Sequence, residues 1–301
     1  MADIDQIRLS NGTTYTIKDA TSRTDSATAK TQEEFDRQLA CGVYPGRALT
    51  SIPEIAAEIS SAGNVYAFLH NRARAANFAN IRIGDYFDVP VTGYGTVRYR
   101  IGGVDTYYQC GDTAMGHHFL CVPLAPVTMP ASSEYTTNGS YIIWNTTADN
   151  NGTAEESSPY LASNLHAWEI NEFLPALPSA LQGYLLERRD LVEVRYSASA
   201  KLTASTGWKW ASLGKVWSLS EMEVYGCNVW GTPGHSQGLG DKLPIFQQTK
   251  DRIKGGRVDW WLRVVSGSSA SDVCGVSYSG GAGSNSAAYA RVRALPCFLL
   301  G

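Results

Sequence analysis

Residues 264–289 hold eight serines, five glycines and four alanines among 26 positions, and Asp272 is their only charge. With few large apolar side chains of its own, such a run needs outside support to order its backbone. That support stands on both sides. Trp260-Trp261-Leu262-Arg263 precedes the run, and Ala290-Arg291-Val292-Arg293-Ala294-Leu295-Pro296-Cys297-Phe298-Leu299-Leu300 follows it, both apolar and strand-like. A loop of small residues on a rigid frame suits recognition, because loops carry binding residues while the elements beneath them hold position. The bland alternative is a plain solvent loop.

The tryptophans locate the frame. Six of the eight, Trp208, Trp210, Trp217, Trp230, Trp260 and Trp261, fall between positions 208 and 261. Each buries a large area and needs a partner for its indole N–H, so the cluster is expected to be core that braces a fold poor in regular structure. Trp230 lies in the polar stretch Asn228 to Asp241 and reads both ways, as core by residue type and as a surface anchor by its neighbours.

At 301 residues, 44% hydrophobic and 18% charged, the chain has the composition of an ordinary folded protein with one large core or two smaller ones. A net charge of −3 supplies no basic field, so nucleic acid is not an expected partner. The opening MADIDQIRLSNG lacks a signal-peptide core, and no stretch approaches the roughly 20 apolar residues of a membrane span. The expectation is synthesis in the cytoplasm without membrane insertion. Cys41, Cys110, Cys121, Cys227, Cys274 and Cys297 are scattered without metal-ligand spacing, which favours buried reduced thiols. The Asn-x-Ser/Thr sequons at Asn11, Asn138, Asn145 and Asn151 read as turn chemistry.

Along the chain, Asn11-Gly12 between Ile7-Arg8-Leu9-Ser10 and Tyr15-Thr16-Ile17 predicts a small β-hairpin. Residues 20–31 read as a linker or a polar helix entry. Thr31-x-x-Glu34 and Ser51-x-x-Glu54 match the capping box, so two helices should follow, the second broken at Gly63. From Ile81 the period changes to two, with Val97, Tyr99 and Ile101 alternating with Arg98 and Arg100 as in a strand, and Phe119-Leu120-Cys121-Val122 adds another. Residues 130–159 read as a surface connection. Leu161, Leu165, Trp168, Phe173 and Leu174 predict one amphipathic helix. Val192, Val194 and Tyr196 alternate next, and Ser218-x-x-Glu221 should cap a short helical turn.

Little in the chain demands chemistry. Adjacent strand residues point to opposite faces, so His117-His118 is read as a structural pair rather than a zinc site. Glu155-Glu156, Glu187 with Asp190, and Glu221 with Glu223 are explained as solvated faces and caps. The glycines at 231–240 and 280–283 lack the setting of a phosphate loop. No metal and no cofactor is expected. Tyr278 and Tyr289 among serines and Asn285 form the mixture of rigid aromatic and adaptable polar groups found in paratopes.

Three segments together, KVWSLSEMEVYG at 215–226, WWLR at 260–263 and ARVRALPCFL at 290–299, resemble C-type-lectin-fold domains of phage and prophage structural proteins. They are most similar to the formylglycine-generating-enzyme-like variable proteins diversified by retroelements, although Pro296 departs from the Val-Arg-Pro-like ending of that group. IRIGDYFDVPV, IGGVDTYYQCGD and HHFLCVPL look like the first half of the same domain. IRLSNGTTYTIKDATSR resembles segments that open virion proteins of phages of Gram-positive gut bacteria.

The resemblance implies an α+β chain. Residues 1–77 would form a hairpin plus helical region for virion docking and oligomerisation, with a trimer among the options, and residues 78–301 a C-type-lectin-fold ligand-binding domain. It implies a virion protein that binds a host-surface receptor, protein or glycan, without covalent chemistry, alongside other virion proteins. The expected contact residues are Asn228, Trp230, His235, Ser266, Ser268, Ser269, Ser271, Asp272, Ser277, Tyr278, Ser284, Asn285 and Tyr289. The alternatives are a purely structural decoration or assembly protein, and an oxidase of the formylglycine-generating type, for which Cys274 would be the reactive thiol.

Overall fold

A computed structural model describes residues 6–8, 10, 12, 14–16, 44–136, 139–233 and 242–301. The chain divides into Met1–Pro45 and Gly46–Gly301. In the first unit the expected hairpin is present, with β1 (Gln6–Arg8) antiparallel to β2 (Thr14–Thr16) and Ile7 opposite Tyr15. The helix read after Thr31, Cys41 and the sequons at Asn11 and Asn138 lie outside the described residues.

The second unit contains both helices of the 53–74 region, so the boundary drawn between 77 and 78 runs inside it. α1 (Pro53–Ala62) starts on proline, whose missing N–H costs nothing at a helix start, and its N-cap Ile52 makes no side-chain cap. The capping box read at Ser51 and Glu54 is therefore absent; the Ser51 hydroxyl donates to the Ala48 carbonyl instead. Gly63, at φ 84°, ends α1 where the break was expected, and the Asn64 side chain accepts the Tyr66 and Ala67 amides to start α2 (Val65–Arg74).

An antiparallel sheet of five strands runs β3 (Tyr86–Val91), β4 (Gly95–Val104), β5 (Phe119–Pro123), β12 (Phe298–Leu300), β6 (Leu185–Leu186). The alternation read from Val97 to Ile101 holds, since these side chains are buried. Only three residues of the C-terminal apolar segment form a strand, yet they sit centrally between β5 and β6. The Tyr99 ring packs 4.4 Å from that of Phe298, and its hydroxyl donates to the Pro296 carbonyl. Between the strands, α3 (Asn164–Trp168) leads through a π-helical turn, Glu169–Phe173, into α4 (Leu174–Ala176), and α5 (Ser179–Gln182) follows. The single helix expected there is real but interrupted.

β7 (Arg188–Val194) and β8 (Gly207–Gly214) form an antiparallel ribbon, and α6 (Glu221–Tyr225) and α7 (Thr249–Arg252) are short helices. β9 (Trp260–Val265), β10 (Asp272–Val276) and β11 (Ala282–Ser286) make a second sheet in the order β11-β10-β9. Much of the run 264–289 is thus sheet, where a loop was expected, because its valines and Cys274 pack into the core. The tryptophan frame is partly as read. Trp144, Trp168, Trp217, Trp260 and Trp261 are fully buried, whereas Trp208 is exposed. The Trp144 indole N–H donates to Leu262 O at 3.1 Å and that of Trp261 to Ile142 O at 2.8 Å. This reciprocal tie stitches an irregular segment to β9. Ile142, Ile143 and Trp144 are buried, so the 130–159 connection is not all surface.

Four charges lie at the centre. Arg188 bonds Glu223 and Asp190 at 2.6 Å each, and Arg263 bonds the same two carboxylates at 2.5 and 2.7 Å, all four side chains being buried. The Tyr107 hydroxyl donates to Glu223 at 2.5 Å. Burial pushes the Glu223 carboxyl up, but the two guanidinium groups outweigh it and hold the carboxyl well below its ordinary range. Asp190 and Glu223, expected on solvated faces or as caps, are both buried, and Glu223 is a cap as well. The cap is displaced as well: Ser220, not Ser218, caps α6, with Glu223 closing the box. Removing one member strands the opposite charges in the core, so Arg263→Met is expected to lower unfolding free energy by about 3–5 kcal/mol in urea titrations.

Candidate ligand-binding face

Val192, Val194 and Tyr196 alternate along β7 and its extension, with Glu193 and Arg195 between them. The structure buries Glu193 and Arg195 and exposes Tyr196. The reason is the loops they hold. Glu193 accepts the Val265 amide at 2.9 Å and the Ser205 hydroxyl. Arg195 spends its guanidinium on three backbone carbonyls, those of Leu202 at 3.2 Å, Ser266 at 2.6 Å and Ser269 at 2.7 Å. Burial lowers the pKa of Arg195, partly offset by Glu193.

Glu221, at the first position of α6, performs the matching task for the next loop. Its carboxylate accepts the amides of Val229, Trp230 and Gly231 at 2.9–3.2 Å. Three successive N–H groups around one carboxylate form an anion nest. Consequently Val229 and Trp230 project from a fixed backbone with 48% and 47% of their surfaces exposed. The surface reading of Trp230 is the one realised.

The two loops meet directly. Gly267 N–H donates to Trp230 O at 2.7 Å, and Gly231 bridges Ser266. A Cβ on Gly267 would stand 2.7 Å from Thr232 Cα and 2.8 Å from its nitrogen, so only glycine permits this approach. From the other side Asn150 donates to the carbonyls of Ser269 and Asp272 at 2.9 and 2.5 Å, and its amide donates to Ala270 O. Beside these loops an open depression of about 400 Å³ is lined by residues that include Asn151, Tyr196, Ser199 and Lys201.

Against the expected contact set, Asn228, Trp230, Ser268, Ser269, Ser271 and Asp272 come together on this face. Ser266 belongs to it only as support, being 2% exposed, with its amide on Asp272 O and its carbonyl on Arg195. Ser284 and Asn285 stand on β11 opposite Cys274 and Val273, and the Tyr289 amide closes a turn on Ser286. Ser277 and Tyr278 are at the far end of the β10–β11 hairpin, where the Tyr278 amide donates to Asp259 and Arg257 lies over the ring. Five residues of strand, roughly 16 Å, separate them from Ser271. His235 lies outside the described residues. Glu193, Arg195, Glu221 and Asn150 were missed as a frame, and exposed Tyr196 and Trp208 as surface.

Cys274 is buried, and burial together with the neighbouring carboxylates of Glu221 and Glu193 pushes its thiol pKa well up, opposite to what a nucleophile needs. Cys121 and Cys297 are buried too, whereas Cys110 and Cys227 are exposed, against the expectation of uniformly buried thiols. His117 bonds Asp105 at 2.6 Å and stacks on Tyr108, while His118 bonds Gly116 O and the Tyr107 amide. Among the described residues no group of three or more His, Cys, Asp or Glu is arranged to hold a metal, and no helix is long and apolar enough to cross a membrane.

Residues 137–300 match the model of a domain family described as a domain of unknown function, DUF6273. The chain belongs to this family. No curated protein and no solved structure matches. The DUF6273 region holds Asn150, Glu193, Arg195, Glu221 and all three strands of the β9–β11 sheet, so frame and face lie within one family domain.

Two measurements test this frame. Glu221→Ala leaves three amides without their acceptor; it should cost about 1–3 kcal/mol and speed hydrogen exchange at 229–231 by about tenfold or more while β4 and β5 stay protected. Burial also pushes the Glu193 carboxyl up to about 7 and that of Glu169 to about 8. Such groups bind protons more tightly folded than unfolded, so the stability they contribute at low pH is lost as pH rises from near 4.5 through those values. Buried His118 and His166, whose pKa values burial lowers, act in the opposite sense below about pH 6.5, so melting temperatures should fall with pH between about 6.5 and 8.5, and Glu193→Gln should flatten the lower part of that decline.

Proposed function

We propose that this chain is a phage or prophage virion protein whose second unit is a C-type-lectin-like domain that binds a host-surface receptor without covalent chemistry. The observation that carries this reading is the way the face is held. Buried Glu193, Arg195, Glu221 and Asn150 bind the backbone of the 228–232 and 265–272 loops. The side chains of Val229, Trp230, Ser268 and Ser271 are left toward solvent or at its margin. A preordered surface avoids ordering costs at binding, and an exposed tryptophan on a fixed backbone suits an anchor. The protonated, buried Cys274 thiol supports binding over oxidase chemistry. The first unit is assigned to virion docking on its opening segment alone.

The labelled full chain, incubated with a panel of Gram-positive gut isolates, should be retained by the cells of a host strain. Trp230→Ala should reduce that retention by roughly 30-fold, the scale of a 2 kcal/mol hot spot, with the fold kept, because the bonds that hold this loop use its backbone and not the indole. Equal retention of the variant, or no retention by any isolate, would sink the receptor-binding reading and leave the structural decoration protein in its place. Reads of the gene's 3′ end across a population, with a search of the adjacent DNA for a reverse transcriptase and template repeat, test diversification separately.

A further inference from the structure

β11 is the outer strand of its sheet, and the hydrogen-bond alternation shows which of its groups are free. Ser277 N–H bonds Gly281 O and Ala287 N–H bonds Ser271 O, bracketing a ladder in which Gly275 faces Gly283 and Val273 faces Asn285. In an antiparallel pair, bonded and non-bonded positions alternate, so the N–H and C=O groups of Ala282 and Ser284, and the N–H of Ser286, point away from β10. Among the described residues none of these groups meets another backbone group. An open edge of this kind is a template for another strand.

Strands β3, β8 and β9 carry the usual safeguards. β3 holds Pro90 and Asp88 and is bridged at Tyr86 by Ala48, β8 carries Lys209, and the far side of β9 is taken by Leu219 and Arg293. β11, Ala-Gly-Ser-Asn-Ser, has no charge, no proline and no bulky side chain. From Val273 to Ala290 the chain holds no ionised side chain at all. Along 282–286 two copies of this edge therefore meet without like-charge repulsion, the nearest cations, Arg252 and Arg257, standing at the 277–281 turn.

We propose that β11 pairs with β11 of a second copy of this chain, antiparallel about a two-fold axis at Ser284, joining two β9–β11 sheets into one of six strands. The outward alternation is symmetric about that residue: Ser284 faces Ser284 of the second copy as a hydrogen-bonded pair, and Ala282 faces Ser286. Each Tyr289, 40% exposed, then comes beside the other copy's 277–281 turn, adding aromatic area to a short strand contact.

Ser284→Pro is the selective probe, because it deletes an N–H that β10 does not use and proline is tolerated at such edge positions. Sedimentation equilibrium of the full chain should show a dimer contact weakened at least tenfold by Ser284→Pro and by Ser284→Lys, with unchanged circular dichroism. In a Cys41→Ser, Cys110→Ser, Cys227→Ser, Cys274→Ala background, which also removes the thiol directly across from position 284, Ser284→Cys should cross-link to a dimer under copper phenanthroline and air, dioxygen accepting the two electrons as two thiols become one disulfide. A hydrogen-bonded pair puts the Cα atoms about 5.5 Å apart, inside the disulfide range. Ser286→Cys alone should not cross-link. A chain whose Ser284→Cys variant stays uncross-linked, or cross-links no better than Ser286→Cys, overturns the proposal, whatever other contacts make it oligomeric.

Discussion

Two arginines and two carboxylates share the centre of the second unit, and four separate stretches of chain meet there. Tyr107 arrives from the loop after β4, Arg188 and Asp190 from β7, Glu223 from α6 and Arg263 from β9. Desolvating four charges is expensive, and a well-packed apolar replacement can match such a cluster in stability. What apolar packing does not supply is direction. Each guanidinium bridges both carboxylates, so the ribbon, the helix and β9 have one mutual arrangement in which no charge is stranded. Tryptophan packing fills the space around that arrangement, with Arg188 resting over both Tyr107 and Trp217.

From this centre the fold extends outward through single charged side chains that bind backbone. Glu221 lies two residues before Glu223 on α6, and Glu193 and Arg195 lie three and five residues after Asp190 on β7 and just beyond it. The elements that the four-charge cluster orients therefore aim these three side chains at the loops. The direction of dependence matters: a weakened centre would let α6 turn, and the nest around Glu221 would lose its three amides together. Rigidity at the face is inherited from ion pairs that no ligand would touch.

Much of the fold was legible from apolar pattern and turn chemistry. The strands from Val97 to Ile101 and at Phe119 to Val122, the N-terminal hairpin and the break at Gly63 follow directly from residue pattern. The misreadings share one cause. Pattern reading assumes that charge means water or a helix cap, so Glu221 and Glu223 read as solvated faces and caps and nothing marked Glu193 or Arg195, although each of the four is a buried connector. That assumption also moved the cap of α6 by two residues, since Ser218 and Ser220 both precede an acid at capping distance and only the tertiary partners decide between them. The strands β10 and β11 were hidden differently. Ala-Gly-Ser-Asn-Ser has little intrinsic strand preference, and the two valines of Asp-Val-Cys-Gly-Val are split by Cys and Gly, so the pairing leans on β9 and the valine contacts beneath. A signal was available for the buried piece of the 130–159 connection: Ile142-Ile143-Trp144 is an apolar triplet in a polar stretch.

The way the frame grips its loops also bears on how freely their side chains can change. Arg195 takes the carbonyls of Ser266 and Ser269, Asn150 those of Ser269 and Asp272, Glu193 the amide of Val265, and Glu221 the amides of 229–231. None of these bonds uses a side chain of the residue it holds. A substitution at Ser268, Ser271 or Trp230 therefore leaves the supporting bonds in place, whereas one at Gly267 collides with the Thr232 backbone and one at Arg195 frees three carbonyls at once. The face separates into positions that carry the fold and positions that carry only their own side chains. Small serines at positions of the second kind leave their part of the surface shallow, and the core has little stake in their side-chain atoms.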